Sequence, residues 1–312
     1  MQEIAPFRLA PYFRTRVWGF NDLSPWYNYK TDGEPIGEVW LTGEMCAAET
    51  GPLTGHSLKD ITSANGEALL GKGRAGEEFP LLVKVLFPKE KLSVQVHPDD
   101  TMAQKYGEPR GKTECWYALD AQPGAEVALG IKPGIPTEAV KKAIRESRLE
   151  ELLISVPVHK GDMIFVDAGT VHAIGPGAVL LETQQTSDLT YRMYDYGRPR
   201  ELHLEKSFEA MRLATGSGKI TPKSVNGHSV LIDRKYFRVE RWNTTLPSPK
   251  NASEDVVQLI FVADGKLKIE GNGFEPFLLD RCRLAVIPAG ARDWKITSEA
   301  PVDVIRILPQ SA

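Results

Sequence analysis

The chain has 312 residues, with 38 Lys and Arg against 41 Asp and Glu for a formal charge of −3, so it presents no general positive field for a nucleic-acid backbone. Hydrophobic residues make up 42% and charged residues 25%, the balance of a soluble chain with a packed core and not of a disordered or fibrous one. The length suits one large domain or, better, two of ordinary size.

In chain order, short β-branched and aromatic runs lie between Gly, Pro and Asp punctuation: 81–87, 92–97, 116–119, 163–166, 179–182, 256–262 and 284–287. Such spacing predicts a mainly β protein, a sandwich or barrel of antiparallel strands. Helical patterning is sparse. A short helix is expected after His97, capped by Asp99 or Asp100. A longer one is expected from Pro136 to Leu153, and another from Leu204 to Leu213. The run Lys160 to Gly169 is echoed by Leu279 to Gly290 in its turn, apolar strand and small-residue ending, which suggests two copies of one β-fold. The Gly-rich stretch Thr215 to Lys219 is the expected boundary, giving domains of 1–215 and 216–312. Cys46, Cys115 and Cys282 are odd in number and show no CxxC spacing, which fits a reducing compartment. The chain starts without a basic region and apolar stretch of the signal-peptide kind, and no apolar run approaches the roughly 18 residues that span a bilayer. A cytoplasmic protein with no membrane partner is expected.

Ser93-Val94-Gln95-Val96-His97 alternates, so Gln95 and His97 share one strand face and Val94 and Val96 the other. On the next candidate strand Glu114, Trp116 and Ala118 share a face. His172 follows the strand end of the first repeat. Two imidazoles, one carboxylate and an amide carbonyl would suit Zn²⁺ or another divalent first-row ion. The same histidines could equally be core residues, and Glu114 could pair with a lysine. In the second copy Gln258 stands at the place of Glu114 and Asp293 at that of His172, so it lacks the same ligand set. Lys84, Lys112 and Arg192 lie around the candidate ligands. Positive charge among aromatics suits an anionic, hydroxylated substrate, although packing or ion pairing would explain each basic residue as well.

The runs Leu92 to Asp100, Lys112 to Tyr117, Gly169 to Ile174 and Glu182 to Arg192, in this order, closely resemble type I mannose-6-phosphate isomerases, in particular the short bacterial form with two cupin-type jelly rolls. The resemblance implies two cupin barrels with a few short helices and a zinc-dependent aldose–ketose isomerase. Such an enzyme interconverts mannose 6-phosphate and fructose 6-phosphate through an enediol. By the same resemblance Gln95, His97, Glu114 and His172 fall on the positions that hold one Zn²⁺, Arg192 on the catalytic arginine, Lys112 on a catalytic lysine near the substrate and Lys84 on a substrate-binding lysine. The expected partner is a small-molecule sugar phosphate; oligomeric state is left open. Longer family members have His and Pro flanking the lysine where this chain has Gly111 and Thr113, so a role of that His does not transfer. A cupin oxygenase with a two-His, one-carboxylate triad and a non-catalytic sugar-phosphate-binding bicupin are the alternatives.

Overall fold

The computed structural model describes residues 4–225, 227–244 and 255–310. Four antiparallel sheets stack face to face. An outer sheet of five strands runs Tyr191–Tyr194, Val94–Val96, His172–Ile174, Glu126–Ile131, Leu153–Pro157. Beside it lies a seven-stranded sheet ordered Gly218–Ile220, Met163–Val166, Glu114–Ala121, Ala178–Gln185, Leu81–Leu86, Ile36–Trp40, Tyr12–Phe20. A second seven-stranded sheet follows, ordered Phe7–Arg8, Leu284–Ile287, Gln258–Asp264, Val302–Pro309, Phe237–Thr244, His228–Asp233, Lys223–Val225. Phe277–Asp280, Lys266–Gly271 and Trp294–Thr297 close the stack.

The two-residue period of a strand explains the stacking. Along Gln258–Asp264, Leu259, Phe261 and Ala263 enter a middle core between the two large sheets, while Ile260 and Val262 enter the core of the second sandwich. Along Glu114–Ala121, Cys115, Tyr117 and Leu119 enter the same middle core, and Trp116 and Ala118 face the small sheet of the first sandwich. Both large sheets are therefore covered on both faces, which is why their strands read as nearly continuous apolar runs. A further core on the outside of the five-stranded sheet is covered by Thr137–Arg145 and Leu204–Ala210.

Several expected elements shift. The pattern from Pro136 to Leu153 is not one helix. It ends at Arg145, Ser147 takes a positive φ of 57°, and a 3₁₀ turn at Leu149–Leu152 leads into a strand. The helix at 204 stops at Ala210. The short helix after His97 is Asp100–Lys105, and its cap is Asp99, whose side chain accepts from the Met102 N–H. A helix at Leu58–Leu70, capped by Ser57 and kinked at Gly66, was not expected. The segment expected as a boundary is docked: the Ser217 hydroxyl accepts from the Asp167 N–H at 2.8 Å, and Gly218–Ile220 pairs with Met163–Val166. In the other direction Phe7–Arg8 pairs with Leu284–Ile287, so strands are exchanged across the position of the proposed division. Among the described residues no helix is long and apolar enough to cross a membrane.

Because the middle core is shared, Phe261→Ala, at a position with no exposed surface, should lower stability by about 3–5 kcal/mol. The expected result in urea is one transition at a lower midpoint with unchanged slope; two separated transitions would show that the sandwiches unfold independently.

Candidate metal centre

The inner face of the first sandwich collects the polar residues. Val94 and Val96 are turned into the outer core, which points Gln95 inward. His172 stands directly opposite Gln95 on one neighbouring strand and Arg192 opposite it on the other, so all three face the same way. From the large sheet Lys84, Glu182, Trp116 and Glu38 meet them, Glu182 lying opposite both Lys84 and Trp116. His97 follows its strand and is pinned by the Gly169 N–H, which donates to the His97 carbonyl at 2.8 Å. Gly169 has φ of +86°, and a Cβ there would collide with Arg212 and the Ala210 carbonyl. Glycine is required at this turn.

His97, Glu114 and His172 converge, with their ligand-capable atoms within 4.8 Å of one another and all three side chains buried. Nε2 of His97 is 3.7 Å from Glu114 Oε2, and Nε2 of His172 is 3.4 Å from Glu114 Oε1. The Gln95 amide is 3.2 Å from His172 Nε2. Each imidazole turns Nδ1 to a backbone carbonyl: Leu189 at 2.8 Å for His97, and Thr170 at 2.9 Å for His172. Nδ1–H donation to those carbonyls fixes the tautomer and leaves the Nε2 lone pairs aimed at the centre, as in metal-ligating histidines. His97 Nε2 and both Glu114 oxygens are buried without any hydrogen-bond partner.

Burial dominates the ionisation of these groups. It holds His172 down at about 4, with nearby Lys112 adding to the depression, and it holds His97 well below the usual imidazole range with the same lysine and His172 behind it. Both rings are neutral and ligand-ready. Burial pushes the Glu114 carboxyl up, against the pull of Lys112. Lys112 Nζ is 3.2 Å from Glu114 Oε2.

Next to the triad, with Gln95 and Lys112 between them, lies a cavity of about 360 Å³, walled also by Lys84, Arg192, Arg16 and Arg200. Lys84 is wrapped by carboxylates, 3.3 Å from Glu182, 3.5 Å from Asp188 and 3.9 Å from Glu38. Burial lowers the lysine pKa, but Glu38, Glu182 and Asp188 outweigh it and keep the ammonium charged. Burial likewise opposes the charge on Glu38, yet Lys84 and Arg16 bring it down to about 2. Arg192 donates from Nη1 to the Glu201 carbonyl at 2.7 Å. Arg200 is held bidentately by the buried Asp195, each bond 2.6 Å.

All seven residues singled out in the sequence thus meet at one place. Glu182, Glu38, Asp188, Arg16 and Arg200 were given no role there. A carboxylate closing the apolar run Val179-Leu180-Leu181-Glu182 was the available signal, since an unpaired charge is not tolerated in such a strand. Gln258 of the second copy is buried and accepts from Arg306 Nε at 2.8 Å, whereas Asp293 is exposed. Among the described residues the triad is not repeated there.

His97→Ala and His172→Ala should each lose bound divalent metal with the far-ultraviolet circular dichroism unchanged; a variant that keeps a full equivalent by elemental analysis overturns the grouping. Since the raised Glu114 carboxyl must release its proton to a cation, affinity in a chelator competition should weaken as pH falls from about 8 to about 6. A flat profile would contradict the burial argument.

Residues 7–134 match the family model for the catalytic domain of type I phosphomannose isomerase, a span that holds Lys84, Gln95, His97, Lys112 and Glu114. The chain is 32% identical to mannose-6-phosphate isomerase of Streptococcus mutans, covering 95% of this chain and 96% of that one. It is 34% identical to mannose-6-phosphate isomerase ManA of Bacillus subtilis, again covering 95% and 96%. A crystal structure of mannose 6-phosphate isomerase from Bacillus subtilis superimposes with a TM-score of 0.87 at 31% identity, covering 98% of this chain and 99% of that chain. With the cupin-like sandwich and the buried triad already in place, these likenesses over nearly the full length make the chain a member of the type I phosphomannose isomerase family.

Proposed function

We propose that this chain interconverts mannose 6-phosphate and fructose 6-phosphate through an enediol, with one Zn²⁺ held by His97, Glu114 and His172 and the Gln95 amide beside them. One observation carries the reading: two neutral imidazoles and a carboxylate converge beside a cavity lined by Arg16, Lys84, Lys112, Arg192 and Arg200, and His97 Nε2 and both Glu114 oxygens have no hydrogen-bond partner. Such a donor set fits a divalent first-row ion with room left for a substrate oxygen. When bound, the ion supplies Lewis acidity toward sugar oxygens on which negative charge develops.

The chain's own residues do the rest. The reaction moves a proton between C1 and C2 of the open-chain sugar, so the protein must hold two adjacent oxygens and supply a proton-transfer group. Lys112 Nζ, in the cavity wall next to Glu114, is placed to hydrogen-bond a sugar oxygen or move a proton at it. Arg192 presents its guanidinium from the small sheet and stabilises the developing enediolate. Lys84 keeps its charge through Glu182, and Trp116 Nε1 donates to the other Glu182 oxygen at 3.0 Å. This fixed pair offers an ammonium and a carboxylate to sugar hydroxyls. The phosphate, with about −1.5 to −2 charges, is drawn to the cationic wall.

A coupled assay for fructose 6-phosphate should lose its signal after chelation and regain it with Zn²⁺. Turnover undiminished by complete metal removal refutes the role of the ion, and oxygen uptake in place of isomerisation favours an oxygenase. Arg192→Ala should keep its metal and lose roughly a hundredfold or more in kcat; activity within a few-fold of wild type reduces the arginine to packing.

A further inference from the structure

The second sandwich reaches toward the site at one point. The turn between His228–Asp233 and Phe237–Thr244 presents Tyr236 to the first sandwich. Its backbone is tied down by the Gln310 N–H, which donates to the Tyr236 carbonyl at 3.0 Å. The Tyr236 hydroxyl donates to Asp100 Oδ2 at 2.6 Å, and Lys235 Nζ is 3.6 Å from the same oxygen. The other oxygen of Asp100 accepts from the Gly111 N–H at 3.0 Å and from Gln185 Nε2 at 2.9 Å. Gln185 Oε1 in turn accepts from the Thr113 N–H at 2.9 Å. The residue between these two anchored amides is Lys112, whose own N–H donates to the Pro98 carbonyl at 3.0 Å. Gly111 lies so close to this backbone that a Cβ would come within 2.4 Å of the Pro98 carbonyl and the Asp99 carbon. The segment that aims Lys112 is therefore clamped on both sides, and the clamp is closed by a hydroxyl from the other sandwich.

We propose that Tyr236, acting through Asp100 and Gln185, is a positioning residue for Lys112, so that the second sandwich takes part in turnover. The inference rests on the reading of Lys112 as a group that touches the substrate. Misplacing a reacting group by a fraction of an ångström slows chemistry more than it weakens binding. Tyr236→Phe removes one oxygen from a half-buried ring and leaves the packing in place. It should lower kcat about tenfold with KM changed less than about twofold and metal content unchanged. Amide hydrogen exchange should quicken at Gly111 and Thr113, and this change is read even where activity is poor. Wild-type kcat in Tyr236→Phe, or a loss that follows lost metal or exchange raised throughout the chain, overturns the proposal. Lys112→Met separates it from its foundation. If that variant is slow while Tyr236→Phe is not, only the clamp fails. If Lys112→Met turns over like wild type, the role of Lys112 fails, and the clamp with it.

Discussion

A carboxylate buried to 0% exposure, with two imidazole nitrogens at 3.4 and 3.7 Å and no hydrogen bond to either oxygen, is the constraint on which the first sandwich depends. Left alone, such a group is costly: Lys112 Nζ at 3.2 Å offsets part of its charge and the Gln95 amide reaches His172 Nε2, but the carboxylate oxygens and His97 Nε2 have given up water without a hydrogen bond in its place. A divalent ion would satisfy all of them at once. The surroundings are consistent with that demand: the Nδ1 atoms are spent on backbone carbonyls, so neither ring can turn away from the centre to find another partner.

The second sandwich shows the alternative solution to the same problem. Trp116 stands opposite Glu182, which stands opposite Lys84. In the second large sheet Ile260 stands opposite Arg306, which stands opposite Glu240. The two ladders share their register, with the sign of each charge reversed. Arg306 donates to Glu240 and to Gln258, which occupies the place of Glu114. A neutral amide facing a guanidinium requires no metal, and Gln258, Arg306 and Glu240 satisfy one another. The same framework thus carries a cluster that could hold a metal ion in one copy and an ion-paired group in the other, decided by a few inward positions.

Those inward positions were the most legible part of the molecule. Strict alternation in Val94-Gln95-Val96 and the shared face of Glu114, Trp116 and Ala118 follow from strand geometry alone, whatever the neighbours are. Local rules failed where partners are distant in sequence. Nothing near Lys84 tells that Glu38 and Asp188 surround it, and a two-residue strand such as Phe7–Arg8 has no periodicity to read. The helix Leu58–Leu70 was hidden because Asn65-Gly66 in its middle reads as a turn, and the kink at Gly66 is what that signal became. The helix from Pro136 was overdrawn because the apolar spacing continues past Ser147, where the backbone turns left-handed. Helical and strand periods cannot be told apart over so short a continuation.

The placement of chemistry on a doubly covered sheet has a mechanical reason. Glu114, Lys84 and Glu182 project from strands whose other faces, through Cys115, Val83, Val85, Leu181 and Thr183, are buried against the middle core or its edge. Any shift of one functional side chain would have to move close-packed residues beneath it, and close-packed interiors resist such shifts. Loops alone supply less rigidity, and the two loop-borne groups, His97 and Lys112, are the ones secured by additional hydrogen bonds from Gly169, Asp100 and Gln185. The groups standing on strands inherit their precision from the core, while those outside strands need dedicated tethers. Holding donors in a fixed geometry, as a cation shared among them would demand, calls on both devices.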